Sequence, residues 1–169
     1  MIELSWLYKN TCDLFGTNDV KSLGSALMDC VLQNDIECID KFSALVNNDL
    51  SKDWLQMIFQ YYQADRKEKK QDYTPKSLAV FLSRLISNSA EVIDMCAGSG
   101  ALTIQQWIEN PDTVFELYEI DENVIPFLLF NLVLRNISAT VYHGDVLQNE
   151  VIRKWEIRKG EKYGKIFNF

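Results

Sequence analysis

Three carboxylates in the second half of the chain, Asp94, Glu119 and Asp145, each close a short apolar run, and glycines follow the first of them. Asp94 ends Glu91-Val92-Ile93 and opens Met95-Cys96-Ala97-Gly98-Ser99-Gly100. Glu119 ends Leu117-Tyr118 and is followed by Ile120-Asp121, while Asp145 follows Ala139-Thr140-Val141-Tyr142-His143-Gly144 and precedes Val146. An acid at a strand end, then glycines where the backbone must turn tightly and approach a ligand, is what an open α/β sheet needs to hold an adenosine-type group over its strand ends. Glu119 lies about 20 residues beyond the turn, a spacing at which a carboxylate can accept from ribose hydroxyls. The dinucleotide version of such a turn needs a third glycine where this chain has Thr103, whose side chain would crowd the close helix contact. S-adenosylmethionine is therefore the first candidate ligand. A lone Gly-Ser-Gly is more often a plain loop than a ligand site, so the weight rests on three acids converging on one sheet edge.

The elements that must position these residues are legible in outline. Before Asp72 the apolar residues recur at helical spacing. Asn18 or Asp19 can cap a helix carrying Val20, Leu23, Leu27, Val31 and Leu32, and Asn34 or Asp35 one carrying Ile36, Ile39, Phe42, Leu45 and Val46. A third starts near Ser51, with Trp54, Leu55, Ile58, Phe59 and Tyr62 on its face. Residues 1–71 are thus expected to form a small helical segment and residues 72–169 a separate α/β domain. From Pro75 the pattern alternates between helix and strand, which implies parallel βαβ units. Thr74 can cap the first helix, and Pro75 can open it because its missing N–H is an orphan there anyway. Strands are expected over 91–95, 113–119 and 139–142, with helices over 101–109 and 122–135, the latter capped by Asp121. Residues 146–159 are expected to be partly helical, and Lys165-Ile166-Phe167-Asn168-Phe169 to begin a fourth strand of the parallel sheet.

Composition excludes several functions. A chain of 169 residues with net charge −7 and a pI near 4.7 is poorly suited to grip nucleic acid unaided, because duplex affinity comes largely from Lys and Arg neutralising phosphates. Two basic clusters, Arg66-Lys67-Glu68-Lys69-Lys70 and Arg153, Lys154, Arg158, Lys159, Lys162 and Lys165, read as solvated faces. The densest apolar run, Val124 to Leu134, is interrupted by Pro126 and Asn131 and falls short of a bilayer span. No cationic leader precedes an apolar stretch at Met1, so a cytoplasmic protein is expected. Cys12, Cys30, Cys38 and Cys96 form no Cys-x-x-Cys pair and His143 is the sole histidine, which leaves no zinc set.

Taken together, four blocks in order resemble the DNA adenine-N6 methyltransferases, especially the methylation subunits of type I restriction-modification systems and related phage enzymes. These are Asp72-Tyr73-Thr74-Pro75, the turn Asp94 to Gly100, Leu117-Tyr118-Glu119-Ile120-Asp121, and His143-Gly144-Asp145. The turn departs from the family's usual order, with Met95 after the acid and Cys96-Ala97 before the glycines. The resemblance implies a Rossmann-like α/β fold that binds S-adenosylmethionine and is cut short at strand four. Tyr73, Thr74 and Pro75 would lie against the methionine end of the cofactor, and Asp94 would help hold its amino group. Ala97, Gly98, Ser99 and Gly100 would form the turn beneath it. Glu119 and Ile120 would meet the ribose, and Asp145 and Val146 the adenine, Asp145 accepting from the exocyclic amine.

The same resemblance makes one absence informative. Such methylases hold the target amine with Asn-Pro-Pro-Tyr or Asn-Pro-Pro-Phe after strand four, and the aromatic stacks on a flipped base. This sequence contains no Asn-Pro-Pro, and no proline follows Asn168. No catalytic residue is assigned, and the chain alone is expected to be inactive, with DNA engaged through regions outside it or through a specificity subunit. Alternatives are a methyltransferase of another amine or amide, such as an rRNA base or a protein glutamine, and a non-catalytic module that binds S-adenosylmethionine or docks to another methylase. An oligomer is compatible with the sequence, and a membrane role is not expected.

Overall fold

A computed structural model describes residues 2–62 and 74–168 of the chain. Among the described residues there are seven helices and five strands. The first four helices are α1 (Leu4–Phe15), α2 (Val20–Leu32), α3 (Ile36–Leu45) and α4 (Trp54–Tyr62). There follow α5 (Lys76–Leu85), β1 (Glu91–Asp94), α6 (Ala101–Glu109), β2 (Val114–Glu119), α7 (Ile125–Leu134), β3 (Ala139–Asp145), β4 (Glu150–Arg158) and β5 (Lys165–Asn168). Tyr73 and the basic stretch 66–70 lie outside the described residues.

Local chemistry explains where the N-terminal helices start. Asp19 accepts from the Ser22 amide at 2.8 Å, Asp35 from Cys38 at 3.0 Å and Asp53 from Gln56 at 2.8 Å, so each aspartate, rather than the asparagine before it, is the cap of α2 and α3, and Asp53 caps α4. Helix α1 was not expected. Its N-cap, Glu3, makes no side-chain capping bond, so the sequence carries no start signal there. Pro75 is the N-cap of α5 rather than its first residue, and its carbonyl receives the Leu78 and Ala79 amides. Thr74 therefore stands one position outside the cap it was expected to provide.

The strands lie in the order β1-β2-β3-β4-β5. β1, β2 and β3 are parallel, with Asp94 level with Leu117 and Glu119 level with His143. The expectation of partial helix over 146–159 is wrong. β4 pairs antiparallel with β3 through a register shift at His143/Gly144, and β5 pairs antiparallel with β4. Val151, Ile152 and Trp155 suit a helical stripe, but Trp155 and Ile157 are the pair that is buried, and period two governs once β3 offers a free edge. The last strand thus closes a hairpin at the sheet edge opposite β1 and does not continue the parallel order.

Phe115, Leu117, Ala139, Val141, Trp155 and Ile157 point to one face and join a core shared with the N-terminal helices. α7 lies at its centre. Ile125 and every residue from Phe127 to Leu134 are buried, because α2 and α4 cover one side of this helix and β3 the other. Phe42 meets Phe130 edge to face at 5.2 Å and Phe59 meets Phe127 in the same way, also at 5.2 Å. The opposite sheet face carries a stacked pair, Tyr118 and Tyr142, with centroids 4.6 Å apart. No helix among the described residues is long and apolar enough to cross a membrane.

Candidate functional site

The loop between β1 and α6 is held by its own backbone. Asp94 accepts from the Cys96 amide at 3.0 Å, the Ala97 amide donates to the Tyr118 carbonyl at 2.9 Å, and Gly100 donates back to Ala97 at 2.9 Å. Gly98 and Gly100 have φ of +56° and +97°, which side chains on L-residues rarely tolerate. A Cβ on Gly100 would also meet Leu128 Cδ1 at 3.1 Å, whereas one on Gly98 would meet nothing within 4 Å. The turn is therefore tight against α7 below Gly100 and open above Gly98. Thr103, at the position of the missing third glycine, is buried.

Glu119 is joined to this turn across 21 residues of sequence. Its Oε2 accepts from the Gly98 amide at 2.8 Å and its Oε1 from the Asp121 amide at 2.7 Å. One carboxylate thereby fixes both the glycine loop and the segment leaving β2. Each oxygen retains a second lone pair for a ligand hydroxyl. Asp94 stands one strand over. Its carboxyl is pushed above the ordinary aspartate range by burial, offset only in part by the Cys96 amide, and no cation among the described residues pairs with it. The Cys96 thiol is raised too, by burial and by the charges of Glu119 and Asp94.

Asp145 ends β3 on the same sheet edge. Its Oδ1 accepts from the amides of Leu147 and Gln148 at 2.9 and 3.3 Å, and its Oδ2 from Gln148 Nε2 at 2.9 Å. Ile120 is 62% exposed, and the His143 ring nitrogen Nε2 lies 3.3 Å from the Ile120 carbonyl. The parallel register thus brings Asp94, Glu119, Ile120, Asp145 and Val146 to neighbouring strand ends with Gly98 between the first two.

The acids do not line a single cavity. Asp94 borders an apolar groove of about 280 Å³ between α5 and β1, whereas Asp145 and Val146 border one of about 210 Å³ on the open sheet face. A ligand touching all three would lie across the strand ends rather than inside a pocket. Thr74 and Pro75 reach this region only through α5, which packs on α6 directly after the turn. Ser99 differs from its neighbours. It is 5% exposed, and its hydroxyl points away from the open side and donates to Asp53 at 2.7 Å.

Sequence reasoning missed that inward contact. Asp53 is buried at the start of α4 and also accepts from Asn131 Nδ2 at 2.9 Å, while Asn131 donates to the Ser99 carbonyl at 2.9 Å. Arg135 donates to Asn131 Oδ1 at 2.8 Å and to the carbonyls of Leu50 and Lys52 at 2.9 and 2.7 Å. The available signal was Asn131 and Arg135 in an otherwise apolar helix, since a polar group on a helix buried all round needs partners.

The chain is an α/β protein with acids and a glycine turn at the ends of its parallel strands. A family model described as N-6 DNA Methylase matches residues 46–161, and the chain belongs to that family. No curated protein and no solved structure matches the chain. The matched stretch takes in α4 with Asp53, the turn, and all three acids.

Proposed function

We propose that this chain is the S-adenosylmethionine-binding part of a DNA adenine-N6 methyltransferase of restriction-modification or phage type. The observation that carries the reading is the 2.8 Å hydrogen bond from the Gly98 amide to Glu119, which joins the glycine turn to the acid expected to meet the ribose. The residues present fit the cofactor. Asp94 is a desolvated carboxylate without a cation, suited to the methionine ammonium. The space above Gly98 is open, and Glu119 keeps lone pairs for two vicinal hydroxyls. Ile120 offers apolar surface beside the ribose and Val146 at the adenine position, with Asp145 beside it to accept from the adenine amine. Thr74 and Pro75 would border the methionine end.

When bound, the cofactor supplies an electrophilic methyl group on sulfonium. The chain's own part is to orient it: Glu119 fixes the ribose, Asp94 the ammonium, and the backbone of Ala97 to Gly100 the space between. Such a transfer depends on positioning and electrostatics more than on proton movement. The sequence has no Asn-Pro-Pro motif, so in this reading no group of the chain is assigned to hold the acceptor amine. β5, with Asn168, lies at the sheet edge opposite β1 and its turn. DNA would be engaged by further regions or by a specificity subunit, in keeping with the net charge of −7. Much of the C-terminal basic cluster is internally neutralised, with Lys159 on Asp112 at 2.7 Å, Lys162 on Asp40 at 2.6 Å and Arg158 on Glu156 at 2.7 Å.

Calorimetric titration with S-adenosylhomocysteine tests the reading. Saturable binding that is weakened by Glu119→Ala is expected, and a folded protein that takes up no ligand at millimolar concentration would refute it.

A further inference from the structure

We infer that Asp53, on the N-terminal helical segment, is a positioning residue for the cofactor turn, so that docking of the helices and the ligand-ready shape of Gly98 to Gly100 are one coupled event. The inference rests on the proposed cofactor site and adds a role for a segment to which that reading gives none.

Asp53 has three partners, and each ties it to a different part of the molecule. The Gln56 amide anchors it to α4, the Ser99 hydroxyl to the glycine turn, and Asn131 Nδ2 to α7. Asn131 closes the ring by donating to the Ser99 carbonyl, so both the side chain and the backbone of Ser99 are held from the helical side. The neighbours of Ser99 are the two glycines with positive φ, which gain conformations other residues lack and lose more entropy when fixed. A turn of that composition is held in one shape only if something outside it does the holding. Above, Glu119 grips Gly98; below, Asp53 grips Ser99. Asp53 is 8% exposed and Ser99 5%, so water cannot take over either bond. Gln105 adds a second tie, donating from α6 to the Ser51 carbonyl at 3.1 Å.

Asp53→Ala removes both carboxylate oxygens, and with them the acceptors that serve Ser99, Asn131 and Gln56. Ser99→Ala removes only the hydroxyl. The test combines S-adenosylhomocysteine titration with amide hydrogen exchange at residues 98–100, well below each variant's melting temperature. Ile39→Ala, in the core of α3 and away from the turn, is the stability-matched control. Both Asp53→Ala and Ser99→Ala should weaken binding at least tenfold and speed exchange at 98–100 by a comparable factor, while Ile39→Ala changes neither. Equal losses in Ile39→Ala, or unchanged affinity and exchange in the two variants, would overturn the inference. If Asp53→Ala does not fold, Ser99→Ala reads the same coupling. If the unaltered chain binds no ligand, the cofactor reading fails, while the exchange rates still decide whether Asp53 holds the turn.

Discussion

Asp94 and Glu119 sit at adjacent strand ends, yet their situations differ. Glu119 is anchored by two backbone amides, so Glu119→Ala removes both a ribose acceptor and a brace of the turn. We expect that variant to lose about 1 to 3 kcal/mol of cofactor affinity, the scale of a charged hydrogen bond in a partly buried site, measured by titration calorimetry. Asp94 is strained electrostatically instead. Its folded pKa is raised above the unfolded value near 3.8, so the native state binds the proton more tightly. The sign follows: stability falls as pH rises through the folded pKa, and ionised Asp94 burdens the fold at neutral pH. Asp94→Asn should therefore raise the melting temperature near pH 7 while weakening cofactor binding, because the ammonium loses its counter-charge. In the unaltered protein, affinity should drop as pH is lowered from neutral through the raised pKa. A variant that melts earlier and binds as before would mean that Asp94 is a structural residue.

At the scale of elements, α7 links the sheet to the N-terminal helices through Arg135 as well as through its apolar surface. Arg135 is buried, and desolvation lowers its pKa to about 10, which still leaves it charged at neutral pH. Arg135→Met would leave the Asn131 side-chain oxygen and the Leu50 and Lys52 carbonyls without their donor. A loss of about 1 to 3 kcal/mol is expected by chemical denaturation, the scale of leaving buried acceptors unsatisfied. A loss below 1 kcal/mol would show that water or another group replaces it. These ties were not legible in the sequence, because Asp53 is 46 residues from Ser99 and 78 from Asn131. The three parallel strands were legible, since each is a short apolar run that stops at an acid. α2 and α3 were legible because aspartates mark their starts, and α4 because its apolar residues recur at helical spacing. β4 was not: its apolar residues fit a helix until β3 and the hairpin supply pairing partners, and pairing is a tertiary fact. Helix α7 begins three residues after the expected Glu122, because Asp121 caps the preceding turn through Asn123 rather than the helix.

For the whole molecule, the account is of a cofactor holder without an acceptor clamp. The isolated chain should transfer no methyl group to unmethylated duplex or single-stranded DNA in a radiolabel assay, and its affinity for DNA at physiological salt should be weak. Incorporation above that of Glu119→Ala would show that other residues hold the amine. A backbone amide shift map of S-adenosylhomocysteine titrated into isotope-labelled protein reads where the cofactor sits. Saturable shifts centred on Gly98, Gly100, Ile120 and Leu147 are expected. Shifts confined to the cleft of about 370 Å³ between α2 and β4, at Gly24, Glu122 and Arg153, would contradict that placement.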